Sequence, residues 1–260
     1  MAGNAREPGR SVLSRVAAVL AAYDDDHLRL SLSDLAERSG LALSSTHRLA
    51  AQLAREGWLR RHDDATYSIG LTVFELGTRT PAYAELRRTA LPYLTELAAE
   101  TGENVQLAVL DGYEVLYIER LVGRRSVPLV SHPGSRLPLH ATGVGKALLA
   151  ARPEAFVRDY LSRPMRRFTS HTITTPGGVS REIAAIRRRG FAVTKEEMSL
   201  GSYSVACALD AGPAEPAAVG VTVRRISRTP EAMARRLRSV VDAIHAALGS
   251  ASYDVSQLPP

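Results

Sequence analysis

A single glycine, Gly40, stands between two short stretches of helical periodicity, and that limits what the first quarter of this 260-residue chain can become. Ser33 fits the N-cap of a first helix carrying Leu35, Ala36 and Arg38, which Gly40 then breaks. A second helix is predicted over Leu43–Arg55, with Leu49 and Leu53 on one face and Gly57 as its stop. Beyond it, Trp58–Arg61 and Tyr67–Leu71, separated by Asp63-Asp64, read as a small antiparallel hairpin. Two helices on a Gly-containing turn followed by a hairpin is the layout of a winged helix-turn-helix.

Leu35, Leu41, Leu49 and Leu53 would lock the two helices together and leave the opposite face free. That face carries Ser44, Ser45, His47 and Arg48 at the start of the second helix. Small hydroxyls let a helix approach a duplex closely, and a guanidinium bonds guanine O6 and N7 or a phosphate. The hairpin is expected to act as the wing, with Arg60, Arg61 and His62 clustered at its tip to straddle the phosphate backbone or probe the minor groove. The plainer alternative is a set of solvated charges on a small helical interaction module.

Further along, Val73, Phe74 and Leu76 begin another helix, which Pro81 interrupts, and a longer helical pattern runs to Gly102 with Pro92 inside it. A proline there should kink the helix or open a new one. From Val105 the period drops to two: Val105, Leu107 and Val109, a turn at Asp111-Gly112, then Val115, Tyr117 and Glu119. Helices are predicted over 143–151 and 180–189, strands over 191–195, 205–209 and 219–223, and a last helix carries Leu237, Val240, Val241, Ile244 and Leu248. This order argues for an α/β chain of the α+β type, with a central antiparallel sheet in the second half. The expected divisions are a disordered tail at 1–10, a winged helix-turn-helix at 11–72, a linker helix at 73–88, an effector-binding domain at 89–249 and a second tail at 250–260.

Composition narrows the function classes. The formal charge of +6 permits a polyanionic partner without demanding one, since arginine supplies nearly all of it. Cys207 is the only cysteine, which rules out an intrachain disulfide and a thiolate-rich zinc site. The seven histidines lack metal-ligand spacing, no Gly-x-Ser-x-Gly elbow is present, and Glu196-Glu197 lacks a catalytic partner, so an enzyme is not expected and no cofactor is implied. The first ten residues lack the apolar core of a signal peptide, and no stretch is apolar for long enough to span a bilayer; a cytoplasmic protein is expected.

His140-Ala-Thr-Gly-Val-Gly-Lys146 is the most informative segment of the second half. Gly143 and Gly145 at a helix start let backbone N–H groups face an anion such as a carboxylate. Alternatively, the glycines only permit close helix–strand contact. A phosphate-binding loop is excluded, because His140 stands where its first glycine belongs and Ala147 follows Lys146. In the strand over 219–223, Gly220 and Thr222 share a small polar face, as a pocket wall or a surface beneath a helix would. His140 lies close by and reads as a packed, hydrogen-bonded histidine.

Leu35-Ala-Glu-Arg-Ser-Gly-Leu41, Ser44-Ser-Thr-His-Arg-Leu49, Gly57-Trp58-Leu59, Tyr67 and Gly70-Leu71 together resemble the IclR family of bacterial transcription regulators. The second half adds Leu137-Pro-Leu-His-Ala-Thr-Gly-Val-Gly-Lys-Ala147, Arg189-Gly-Phe191 and Glu196-Glu197 followed by Gly201, so the likeness covers about residues 10–249. The resemblance implies a GAF-like sensor domain whose effector touches Leu129, Leu137, Gly143, Val144, Thr194, Ser204, Gly220 and Thr222. It also implies a homodimer or dimer of dimers on a pseudo-palindromic double-stranded DNA operator, modulated by a small-molecule effector. Some relatives carry an acidic residue near Thr194, a serine at Gly220 and Ala-Pro at Cys207-Ala208; these departures imply a roomier, less polar pocket here. The competing readings are a metabolite-binding sensor or enzyme whose N-terminal helices only dimerise, and a nonspecific nucleoid protein.

Overall fold

Leucines at helical spacing, meeting one buried tyrosine, make the core of the N-terminal part: Val19, Leu30, Leu35, Leu41, Leu49, Leu53, Leu59 and Tyr67. A computed structural model describes residues 11–24, 26–79, 81–210, 216–224 and 229–251, and the chain divides into two units, 1–80 and 81–260. The first unit contains α1 (Val12–Leu20), α2 (Leu32–Ser39), α3 (Leu43–Arg55), the strands β1 (Leu59–Arg61) and β2 (Tyr67–Ile69), and α4 (Leu71–Thr78).

The cap of α2 is Ser31, not Ser33. The Ser31 hydroxyl accepts from the Asp34 amide while the Asp34 carboxylate accepts from the Ser31 amide, so two orphan donors are satisfied reciprocally. Ser33 already lies inside the first turn and is exposed. Gly40 takes φ +63°, the left-handed conformation that turns the chain from α2 into α3. β1 and β2 pair antiparallel, Arg60 opposite Ser68, and Leu30 exchanges backbone hydrogen bonds with Tyr67, which fastens the hairpin to the segment ahead of α2.

The second unit contains α5 (Pro81–Thr101), β3 (Asn104–Asp111), β4 (Glu114–Leu121), β5 (Arg136–Pro138), α6 (Gly143–Ala150), α7 (Glu154–Leu161), α8 (Pro176–Arg189), β6 (Ala192–Lys195), β7 (Tyr203–Leu209), β8 (Ala217–Val223) and α9 (Pro230–Ala251). Pro92 sits inside α5 without ending it. The expected tail at 1–10 and residues 252–260 of the second tail lie outside the described residues; α9 runs two residues past the predicted end at Gly249.

Six strands form one antiparallel sheet in the order β5-β4-β3-β8-β7-β6. Strand periodicity gives each face its own partner. Leu107, Val109, Val205, Cys207, Val219, Val221 and Val223 pack with Leu94 and Leu97 of α5 and Leu237, Val240 and Ile244 of α9. Ala108, Ala206 and Ala218 face the other way, where their small side chains admit α6 and, beyond it, Ile183 and Ile186 of α8. The alternation predicted for Val115, Tyr117 and Glu119 does not persist, because the register slips where Leu107 meets Glu119 and Ala108 meets Tyr117. The extra residue, Ile118, sends Glu119 to Arg87 of α5 while Val115 and Tyr117 stay on the α6 side.

Candidate functional site

The outer face of α3 is built by what its inner face buries. Thr46, Leu49, Ala50 and Leu53 are buried at i, i+3, i+4 and i+7. Ser44, His47 and Arg48 are exposed as a result, and Ser45 is half-buried. Gln52 and Arg55 extend this exposed surface along the helix. Gln52 lies one helical turn past Arg48, so the spacing that points to Arg48 points to it as well.

The wing differs from its sequence reading. Its tip is Asp63-Asp64-Ala65, not a basic cluster: Asp64 accepts hydrogen bonds from the Thr66 amide and hydroxyl, and Ala65 has φ +61°. Arg60 and Arg61 sit in β1, where adjacent side chains point to opposite faces. His62 is tied down. Arg29 Nη2 donates to its Nδ1 at 2.8 Å, and the other ring nitrogen, Nε2, then donates to Ser68 Oγ at 2.9 Å. Arg29 joins the wing through a fold-dependent contact spanning 33 residues, for which the sequence held no signal.

In the second unit a cavity of about 40 Å³ lies where α6 begins. Of the effector residues expected from sequence, Leu129, Leu137, Gly143, Thr194, Ser204 and Thr222 line it. Val144 and Gly220 do not; they touch each other, and a Cβ added at Gly220 would meet Val144 Cγ1 at 2.8 Å. Gly220 therefore makes room for a helix side chain, and the space its missing side chain leaves is taken by Val144 and not added to the cavity. Gly143 allows a similar approach, since a Cβ there would overlap Ser204 Oγ.

The lining is polar and neutral. Gln106 Nε2 donates to Ser131 Oγ at 3.0 Å, and Thr222 Oγ1 donates to Gln106 Oε1 at 3.3 Å. Thr194 and Ser204 share a hydrogen bond of 2.5 Å between their hydroxyls. Thr142 caps α6, accepting from the Gly145 amide, and Tyr117, Met198, Ser199 and Ser202 complete much of the wall. Burial pushes the Tyr117 hydroxyl well above its ordinary range, so it remains a donor. Among the described residues, no side chain lining the cavity carries a formal charge. Gln106 lies outside the residues expected from sequence, although a buried amide between the apolar Val105 and Leu107 of β3 is itself a signal.

His140 lies behind this cavity. Tyr160 Oη accepts from the His140 amide and donates to Nδ1 at 2.8 Å, which leaves Nε2 to donate to the Arg166 carbonyl at 2.9 Å. Burial lowers its pKa, and the nearby Lys146 charge acts in the same direction. Cys207 is buried on the opposite sheet face, where desolvation raises its thiol to about 11.

Comparison with known proteins agrees with both halves. Residues 12–63 match the IclR helix-turn-helix domain, and residues 79–248 match the C-terminal domain of the bacterial transcriptional regulator IclR. The glycerol operon regulatory protein of Streptomyces coelicolor is 33% identical over 239 residues, covering 90% of this chain and 93% of that protein. The Escherichia coli transcriptional repressor IclR is 31% identical over 198 residues, 74% of this chain and 72% of the repressor. Among solved structures, an IclR homologue from Microbacterium hydrocarbonoxydans complexed with 4-hydroxybenzoate superposes with a TM-score of 0.86 at 28% identity, covering 92% of this chain and all of that one. With a helix-turn-helix ahead of an antiparallel-sheet effector domain, and with family matches across both, this chain belongs to the IclR family of bacterial transcription regulators.

Proposed function

We propose that the chain is a ligand-responsive regulator that reads a pseudo-palindromic operator through α3 and answers to a small carboxylate held at the start of α6. It acts by binding, in the cytoplasm, and not by catalysis. The observation that carries this reading is the pairing, in one chain, of an α3 whose exposed face bears Ser44, His47 and Arg48 with a neutral polar cavity at a helix N-terminus. Backbone N–H groups and hydroxyls suit a carboxylate without a lysine or arginine in the wall. The 4-hydroxybenzoate held by the Microbacterium homologue is a ligand of that class.

Assembly as a homodimer, or a dimer of dimers, follows from the two-fold symmetry of such operators. The exposure of Leu71, Phe74 and Leu76 on α4 supports a self-association surface. The linker, read over 73–88, spans the end of α4 and the start of α5. Ligand binding would favour one arrangement of effector domains and so reset the spacing of the two reading heads.

The test uses the DNA immediately upstream of the protein's own coding region, binding measured by fluorescence anisotropy, and a carboxylate panel screened by thermal shift. A regulator loses DNA affinity steeply with added salt, discriminates against random duplex, and changes affinity when the panel's best binder saturates it. Gly143→Val should abolish that response and spare DNA binding. Equal affinity for random and upstream DNA would reject the operator reading. An affinity indifferent to saturating ligand would reject the coupling.

A further inference from the structure

Lys146 is fully buried in α6, and its Nζ lies 2.5 Å from Oε1 of Glu197, itself almost wholly enclosed. A charged pair so deep is costly unless geometry holds it, and apolar replacements of similar volume are often as stable or more so. Neither residue lines the cavity, yet both adjoin residues that do. The Lys146 amide bonds to the carbonyl of Thr142, which caps α6 and borders the cavity; Glu197 directly precedes Met198 and Ser199 in the opposite wall.

We propose that Lys146 and Glu197 are positioning residues for the ligand cavity. Their ion pair pins the wall segment 196–202 to α6, and so sets which ligands fit without touching them. This rests on the cavity reading above. Two further holds act at the same place: Thr169 Oγ1 donates to the Glu196 carbonyl and Thr172 Oγ1 to the Glu197 carbonyl, each at 2.7 Å. Beyond that point the segment closes on itself. Glu196 Oε1 accepts from the Gly201 amide at 2.7 Å, the Glu196 amide donates to the Ser202 carbonyl at 2.8 Å, and Glu196 takes φ +55°.

These internal bonds join the two ends of the loop beyond its anchored end. A cavity of about 40 Å³ holds a few water molecules. Met198, Ser199 and Ser202 belong to a wall outside the helices and strands, so their placement helps set the space open to a ligand. A directional ion pair returns that wall to one register after each excursion, which an apolar contact would not enforce.

The experiment compares the full chain with Lys146→Met/Glu197→Leu, which keeps the space filled. Hydrogen exchange of the amides of 198–202 is measured against those of β3, and the relative affinities for 4-hydroxybenzoate, benzoate and pyruvate are taken from thermal shift. Exchange in 198–202 should quicken at least tenfold relative to β3, and the ratio of affinities should change by a similar factor. Thr172→Val, which cuts another hold on Glu197, should reproduce the direction. If the double variant does not fold, Glu197→Gln keeps the shape and should give a several-fold effect.

Unchanged relative exchange overturns the proposal, as does faster exchange with ligand preference intact. A wild-type protein that binds none of the three probes counts against the carboxylate reading instead, and the exchange measurement alone then decides the anchoring.

Discussion

Replacing Gly220 by alanine separates two roles that a glycine in a pocket strand can have. Its Cβ would stand 2.8 Å from Val144 Cγ1 and 3.6 Å from Ala206 Cβ, in an interior where Val144 is 2% exposed. The first distance lies far inside van der Waals contact, and neither β8 nor α6 can retreat without disturbing the sheet or the cavity. Overpacking of this kind costs about 1–3 kcal/mol. For a unit of this size, roughly 2–4 °C of melting temperature is lost per kcal/mol. Val144→Ala removes the offending methyl, so the pair Gly220→Ala/Val144→Ala should be more stable than the sum of the single losses by about 1–2 kcal/mol. Urea unfolding of all four proteins, followed by tryptophan-independent circular dichroism, measures the cycle. Additive effects would refute the claim that Gly220 exists to admit Val144. So would a Gly220→Ala protein of unchanged stability that had lost ligand binding, which would return Gly220 to the cavity wall.

Three other outcomes are expected. Arg48→Ala should weaken operator binding by about 1–3 kcal/mol and leave unfolding and oligomer size unaltered; an unchanged footprint on upstream DNA would remove α3 from the groove. Ser31→Ala should cost the N-terminal unit about 1 kcal/mol, whereas Ser33→Ala should fall within about 0.5 kcal/mol of wild type, and thermal melts showing the reverse order would reinstate Ser33 as the cap. His140 has a folded-state pKa below its ordinary 6.5, so the unfolded chain takes up this proton first. Stability should therefore decline as pH falls from about 6.5 towards the folded-state pKa, then level off for this group, and His140→Gln should flatten that part of the profile in denaturant titrations.

What could be read from residues alone follows the range of the interactions involved. The buried stripe of α3 and the two-faced pattern of Val219, Val221 and Val223 against Gly220 and Thr222 are local periodicities, and both appear in the structure. The short α7 also has a local signature, with Val157, Tyr160 and Leu161 at helical spacing after Pro153, but its eight residues hold barely two turns of that pattern. β5 has three residues and exists only because β4 is beside it. Gly220 shows the limit most plainly: a missing side chain reveals that something needs space, not whether the occupant is a ligand or Val144. Gln106 and Ser131 meet across 25 residues, and Lys146 and Glu197 across 51, distances over which no sequence pattern operates. The acidic wing tip differs for another reason: Arg60 and Arg61 are adjacent in sequence but, in a strand, their side chains diverge.

Enclosing Lys146 has a practical result for anyone wishing to watch this protein at work. The chain has two lysines, and the other, Lys195, is exposed at the end of β6, next to Thr194 in the cavity wall. Amine-reactive dyes therefore find one accessible side-chain amine, on the sheet face opposite Thr194, so ordinary surface chemistry can place a fluorophore on a strand that borders the cavity without any engineered cysteine.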